Sequence, residues 1–323
     1  GSSASGSCRL VRAGDGWLAV NLARPEDRAA VAAVTEGEVQ GDPWTTLEGA
    51  ARRRSVSDLV GRARLLGVAA APIGRPDTDG TAEPSASTRL WPRAGADHRA
   101  EVRVVDLSSM WAGPLCTALL ARAGFRVTKV ESSSRPDGVR EVPDFYRTLH
   151  AADQEVATLD FSQADGRRRL RALIEEADVV VESSRPRALA QLGLAPDTVD
   201  GPPGKVWVSI TGYGRRPPGA GWVAFGDDAA VAGGLVAWED TEHPVFCGDA
   251  LADPVTGMTA AAAALRAVAA GGGVLLDVSM QACAAALMTR APVVASPARR
   301  CGNRWCVTVG RETVPVRDRA ERL

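Results

Sequence analysis

The residues that could do chemistry in this chain sit in a few short segments. One is Asp106-Leu-Ser-Ser-Met-Trp-Ala-Gly-Pro114, which follows an apolar run that reads as a strand and precedes one that reads as a helix. Loops at the carboxyl ends of parallel strands are where α/β proteins hold ligands. Ser108, Ser109 and the Ala112-Gly113-Pro114 helix start offer backbone N–H groups to an anion, and they equally suit a plain N-cap and turn. A second segment, Gly248 to Gly257, carries Asp253-Pro254 before another helix. Asp followed by Pro is an N-cap and N1 pair. The same place gives a carboxylate on a helix dipole, among small residues that admit a substrate. Asp249 nearby is a second, weaker candidate that equally suits a surface loop. Phe225-Gly-Asp-Asp228 pairs two acids without a His or further acid at ligand spacing, so it reads as a solvated turn or cap. Gly271-Gly272-Gly273 reads as a helix C-cap.

Other chemistries find little support. His98, His150 and His243 stand alone, outside any arrangement with Ser or Cys that would make a hydrolase triad. No G-x-G-x-x-G or Walker A pattern occurs. Of six cysteines only Cys301 and Cys306 are close, and one C-x4-C pair is a poor zinc signature, so no metal is expected and the thiols are read as reduced. The net charge of −1 advertises neither nucleic acid nor an anionic membrane. Lys129 and Lys205 are the only lysines among 38 basic residues, an Arg skew that weakens the case for any single Arg as a phosphate ligand. No apolar run approaches the ~20 residues needed to cross a bilayer. Gly1 to Gly6 lack the charged-then-apolar order of a signal peptide. The expectation is a soluble cytoplasmic protein.

The elements that must position these residues follow from periodicity. Residues 8–12 and 17–22 read as a hairpin around Ala13-Gly-Asp-Gly16. A helix is expected from Arg24 to Thr35, another from Ser57 to Leu66 ending at Gly67, and an apolar strand over 68–73. The run rich in Pro, Asp, Gly, Thr and Ser after Pro76 reads as a linker. Beyond it, strands at 102–107, 127–131, 179–182 and 206–211 alternate with helices near 114–123, 162–177 and 187–192, the grammar of parallel βαβ units. A helix over 256–270 and a strand over 274–278 follow. Trp305 to Val309 and Thr313 to Val316 read as a tail hairpin. The domains expected are a small α+β domain at 1–75, a linker at 76–97, a large doubly wound Rossmann-like α/β domain at 98–290, and a tail at 291–323 that packs with the small domain.

Several segments in order resemble the class III CoA transferases (CaiB/BaiF type), a family that also includes α-methylacyl-CoA racemases. They are residues 104–114, Leu119 to Glu131, Ala177 to Pro186 with Leu192-Gly-Leu194, Val208 to Gly214, Gly233-Gly234, Asp249 to Gly257 and Gly273 to Met280. Asp15-Gly-Trp-Leu-Ala-Val-Asn21 and Leu66-Gly-Val-Ala-Ala-Ala-Pro72 resemble the small domain that in the family follows the large one, so their order here looks permuted.

The resemblance implies an acyl-CoA substrate, no cofactor beyond CoA itself, and an interlocked homodimer. It matches Asp253 to the family's catalytic aspartate, which attacks the thioester and passes CoA through a mixed anhydride and an aspartyl-CoA thioester. The CoA cleft would then be lined by Ser109, Met110, Trp111 and Ala112, by Ser183, Ser184 and Arg185, and by Tyr213 and Phe225. Phe225 stands where racemases carry a proton-shuttling His, which disfavours racemisation. Ser132, Asp153 with Gln154, and Gln191 stand where transferases carry basic residues toward the nucleotide phosphates. Arg135, Arg140, Arg147, Arg185 and Arg187 are the arginines near enough in sequence to compensate. Two other readings stay open: a diverged scaffold for a non-CoA or carrier-protein thioester, and a non-catalytic acyl-CoA binder. Trp111, Trp222, Phe225 and Trp238 hint at an apolar acyl cavity.

Overall fold

Strands β1 (Cys8–Arg12) and β2 (Trp17–Asn21) form the expected antiparallel hairpin, and β3 (Ala69–Pro72) pairs with β2 on its other side. The computed structural model describes residues 1–288 except 38, 40, 75–82, 96–100, 151–153 and 241, and residues 299–315 except 303, 310 and 311. Helices α1 (Pro25–Ala29), α2 (Val31–Thr35), α3 (Pro43–Ala51) and α4 (Val56–Leu65) connect β2 to β3. The single helix expected over 24–35 is broken at Ala30. Helix α3 escapes the sequence reading because its Gly-Asp-Pro start looks like a loop, although Pro at the first helical position is favourable. Strand periodicity divides the small sheet's core. Leu18 and Val20 pack with Val34, Trp44 and Leu59, while Ala19 joins Cys8, Leu10 and Ala71 on the opposite face.

The large sheet comprises β4 (Ser85–Arg89), β5 (Arg103–Asp106), β6 (Arg126–Ser132), β7 (Glu155–Leu159), β8 (Val179–Glu182), β9 (Val206–Thr211) and, after a hairpin of β10 (Val236–Trp238) and β11 (Pro244–Phe246), β12 (Val274–Ser279). Its order is β4-β12-β9-β8-β5-β6-β7, parallel throughout except for β4. The expected linker therefore holds an edge strand. Ser-Ala-Ser-Thr-Arg has no apolar run to announce it, and four of its five residues stay exposed, as an edge allows. The earlier part of that linker lies outside the described residues. From β5 the chain winds through β6 to β7, then returns to β8 beside β5 and runs on through β9 to β12. The reversal opens a crevice at the carboxyl ends of β5 and β8.

Helices cover both faces, which is why these strands read as continuous apolar runs. On one side α5 (Ala112–Arg122), α9 (Gly226–Ala232), α10 (Ala252–Ala269) and α11 (Met280–Met288) pack Cys116, Leu120, Ala260 and Ala264 onto Val181 and Val208. On the other, Leu170 and Ile174 of α7 (Ala164–Glu176) and Leu189 of α8 (Pro186–Gln191) meet Val105, Val180 and Trp207. A short α6 (Pro143–Leu149) lies between β6 and β7. Helix α9 also carries Val231 and Ala232 against the small sheet, so that sheet packs on the same helix that borders Asp253. No helix among the described residues is long and apolar enough to cross a membrane.

Residues from Thr289 form a separate unit. There β13 (Arg299–Cys301), β14 (Arg304–Val309) and β15 (Glu312–Pro315) make an antiparallel sheet that includes the expected tail hairpin.

Candidate active site

Asp253 is not the cap of its own helix. Leu251 occupies the N-cap of α10, which places Asp253 in the second helical position. Its backbone N–H donates to the Ala250 carbonyl at 2.8 Å. The carboxylate turns away from α10 toward the starts of two other helices, where the N–H groups of Ala112 and Gly226 favour its ionised form. Burial opposes them and, with Asp227 and Asp249 nearby, pushes its pKa up to about 7. Gly226 is required at this approach, because a Cβ there would collide with Asp253 Oδ2 and stand 2.6 Å from the Ala250 carbonyl oxygen. Gly257, one turn on, lets α10 cross α5: a Cβ would come within 2.6 Å of the Ala112 carbonyl oxygen.

The paired acids of the Phe225 segment are buried rather than solvated. Asp228 accepts the Phe225 N–H at 2.9 Å, closing a cap on α9, and the Asn21 amide of β2 at 3.4 Å. Burial pushes its pKa up to about 7 as well. Asp227 accepts the Ala250 N–H at 2.8 Å and so holds the turn that launches α10, in which Ala250 sits at φ 45°.

The crevice between β5 and β8 gathers most of the residues expected to line a CoA cleft. The Ser109 N–H donates to Ser183 Oγ at 3.2 Å, tying the two loops together. Met110 is 45% exposed with φ 71°. Trp111 takes the N-cap position of α5, its ring edge-on to Phe145 at 5.2 Å. Ser184 N–H and Oγ both donate to Glu182 Oε2, at 2.9 and 2.8 Å. Arg185 begins α8. Tyr213 faces the N-terminal segment, its ring 4.9 Å from the Arg64 guanidinium and edge-on to Trp222 at 5.2 Å.

An adjoining cleft of about 380 Å³ is lined by Arg24, Arg64, Arg135, Arg185 and Arg187, with Glu26 and Asp27 the acids present. Arg24 pairs with Asp27 and lies 5.7 Å over the Phe225 ring, one residue from Gly226. Among the described residues no carboxylate pairs with Arg135, Arg185 or Arg187. Burial and the charges of Arg187, Arg24 and Arg135 lower the pKa of Arg185. Of the arginines expected to compensate, Arg140 is bound instead to Glu131 at 2.9 Å and Arg147 to Asp144. Arg24 and Arg64 carry no signal in the sequence, because they lie far along the chain from the crevice and no local motif contains them.

The remaining candidates scatter. Ser132 and Gln191 are described as polar positions without charge, and Asp153 and His98 lie outside the described residues. His150 is buried and His243 pairs with Asp240 on the surface. The four aromatics read as an acyl cavity do not gather: Trp111 meets Phe145, Trp222 meets Tyr213 and Arg64, Phe225 meets Arg24, and Trp238 is 49% exposed. Among the described residues no three His, Cys, Asp or Glu side chains form a metal-binding group.

Known proteins share this sequence and fold. The family model for CoA-transferase family III matches residues 100–318. The chain is 31% identical over 202 residues to an acyl-CoA transferase of Fusarium pseudograminearum, covering 55% of this chain and 44% of that protein. It is 29% identical over 202 residues to the succinyl-CoA–D-citramalate CoA-transferase of Chloroflexus aurantiacus, covering 58% and 50%. It thus spans about half the length of these relatives. A crystal structure of a hypothetical protein of Mycobacterium tuberculosis superposes with a TM-score of 0.55 at 25% identity, over 68% of this chain and 65% of that one. A family match over two thirds of the sequence, on a doubly wound sheet whose switch point carries the matched loops, settles the relationship: the chain belongs to CoA-transferase family III.

Proposed function

We propose that this protein moves CoA between carboxylic acids, with Asp253 as the nucleophile. The observation that carries the reading is the buried Asp253 carboxylate set against Gly226 at the start of α9, where a side chain would collide with it, with the N–H groups of Ala112 and Gly226 favouring its ionised form. A carboxylate with a raised pKa is a better nucleophile once ionised, and N–H groups aimed at it are placed to stabilise the oxyanion that forms next. Asp253 adds to the thioester carbonyl, the C–S bond breaks, and CoA leaves as thiolate. The thiolate then attacks the aspartyl carbonyl of the anhydride, releasing the first acid and leaving an aspartyl-CoA thioester. An acceptor carboxylate reverses both steps and departs as the new acyl-CoA. CoA enters as substrate, and no other cofactor is required by these steps.

The arginine cleft supports CoA over a thioester without phosphates. Three unpaired guanidinium groups and two tethered ones suit phosphate oxygens, and a volume of about 380 Å³ suits part of a nucleotide. They supply the charge missing at Ser132 and Gln191. With Phe225 in place of a proton-shuttling His, transfer is favoured over racemisation. The family resemblance extends the proposal to a homodimer, which light scattering tests.

The direct test is intact mass spectrometry after incubation with a panel of acyl-CoAs and hydroxylamine or borohydride trapping. An adduct mapped to Asp253, absent in Asp253→Asn, is the expected result. CoA binding without any adduct would sink the nucleophile and leave a binder, and neither binding nor adduct would point to a non-CoA substrate.

A further inference from the structure

We infer that Lys129 and Asp137 are positioning residues that aim the Ala112 N–H at Asp253, an inference that rests on Asp253 being the reacting group. The loop from Leu107 to Trp111 must turn sharply before α5 begins, and it does so through Met110 at φ 71°. A non-glycine residue in the left-handed region costs about 1–2 kcal/mol and persists only when its surroundings hold it there. The holding groups are on β6 and the segment after it. The Met110 N–H donates to Asp137 Oδ1 at 3.0 Å, and Lys129 Nζ donates both to Asp137 Oδ2 at 3.2 Å and to the Ser108 carbonyl. The loop is therefore grasped on either side of Ser109, at Ser108 O and at Met110 N, by one ammonium–carboxylate pair. Lys129 also stands 3.7 Å from Asp106, whose Oδ1 accepts the Ser108 N–H.

These charges are fully enclosed: Lys129 and Asp106 are 0% exposed and Asp137 is 4% exposed. A buried ion pair is a poor source of net stability, since well-packed apolar replacements are often as stable or more so. Its value here is geometric. Residue type is consistent with this, because in a chain that uses Arg almost everywhere a compact ammonium stands here, donating to Ser108 O and Asp137 Oδ2 and lying 3.7 Å from Asp106. Trp111 alone separates the held Met110 from Ala112, so the orientation of the Ala112 N–H follows from the grip. The ionisable groups facing Lys129 and Asp137 are Asp106, Glu131, Arg140, Tyr146 and His150. Those facing Asp253 are Asp227 and Asp249.

The experiment is a 13C NMR titration of the aspartate carboxyl carbons in the full chain, with the Asp253 signal assigned by its loss in Asp253→Asn. The double variant Lys129→Met/Asp137→Leu removes both charges, and Asp137→Ala removes the Met110 acceptor while leaving Lys129 beside Asp106. In either variant that folds, the Asp253 midpoint is expected to rise by about one pH unit, the worth of one lost charge-assisted hydrogen bond. Met110→Gly, which adopts the same backbone without strain, is expected to leave it unchanged. A folded variant with the wild-type Asp253 midpoint would overturn the inference. The titration does not depend on turnover. A wild-type protein that forms no acyl adduct thus refutes the proposed function, whereas an unmoved midpoint refutes the positioning role.

Discussion

Asp228 and Asp253 look alike locally and meet different surroundings. Each is an aspartate in the first turn of a helix, and burial pushes each up to about 7. Asp228 closes on its own helix through the Phe225 N–H and is sealed by Asn21 of the small sheet. Among the described residues, Asp228 Oδ2 and Asn21 Oδ1 have no hydrogen-bond partner. Asp253 leaves its own helix uncapped and faces the starts of α5 and α9, beside the crevice. The comparison shows that an acid at a helix start serves its own helix or meets another according to what packing brings beside it.

The largest expected difference between the two is in turnover. Asp253→Asn should slow CoA exchange between acids at least about 10³-fold while CoA affinity stays within about twofold, read by isotope exchange and calorimetry. Asp228→Asn should stay within about threefold of wild type. Comparable losses in both variants would erase the distinction. Next, Gly226→Ala places a methyl group against Asp253 and should cost about 10²-fold in exchange rate; full activity there would mean the carboxylate does not react from this position.

Arg185→Gln with Arg187→Gln tests the adjoining cleft. CoA should bind about tenfold more weakly, and the loss should shrink for pantetheine thioesters that lack the phosphates. Unchanged CoA affinity would remove the cleft from the site.

Smaller effects come from pH. In the proposed mechanism the nucleophile is the ionised Asp253 carboxylate, so exchange should rise with pH through about 7 and then level off. Stability runs the other way. Both folded-state values are raised, so the folded protein holds protons that the unfolded chain gives up near its ordinary value of about 4. The stabilisation is complete below that and is lost as pH rises toward about 7. Asp228→Asn should therefore raise Tm at pH 8 by a few degrees, about 2 °C per kcal/mol, and leave Tm at pH 4 unchanged. An equal change at both pH values would show that Asp228 is ionised when buried.

Legibility followed the range of the forces involved. The hairpin at 8–21 and strands β5, β6, β8, β9 and β12 announce themselves, because turn chemistry and runs of Val, Leu and Ile are local signals, whereas β7, Glu155–Leu159, does not. Helix α3, β4 and the hairpin of β10 and β11 are silent, since their residues are polar or ambiguous and only pairing defines them. Asp253 and the Ser109–Ala112 loop are visible through their position at the starts of helices. The neighbours that make Asp253 unusual are Gly226, Asp227 and Ala112, which come from other parts of the chain.

By itself the sequence determined that alternating apolar strands and helices would wind a parallel sheet, with Ser109 to Ala112 and Ser183 to Arg185 in the loops after two of its strands. It also places uncharged Ser132 and Gln191 where the family resemblance implies basic residues. Tertiary structure alone decided that those strands are the neighbours β5 and β8, that Asp253 faces α5 and α9 instead of capping α10, and that Arg24 and Arg64 join Arg185 in one cleft. Backbone periodicity is set by residues a few positions apart, whereas charge, burial and hydrogen bonding at a site depend on whatever the fold brings within a few ångströms.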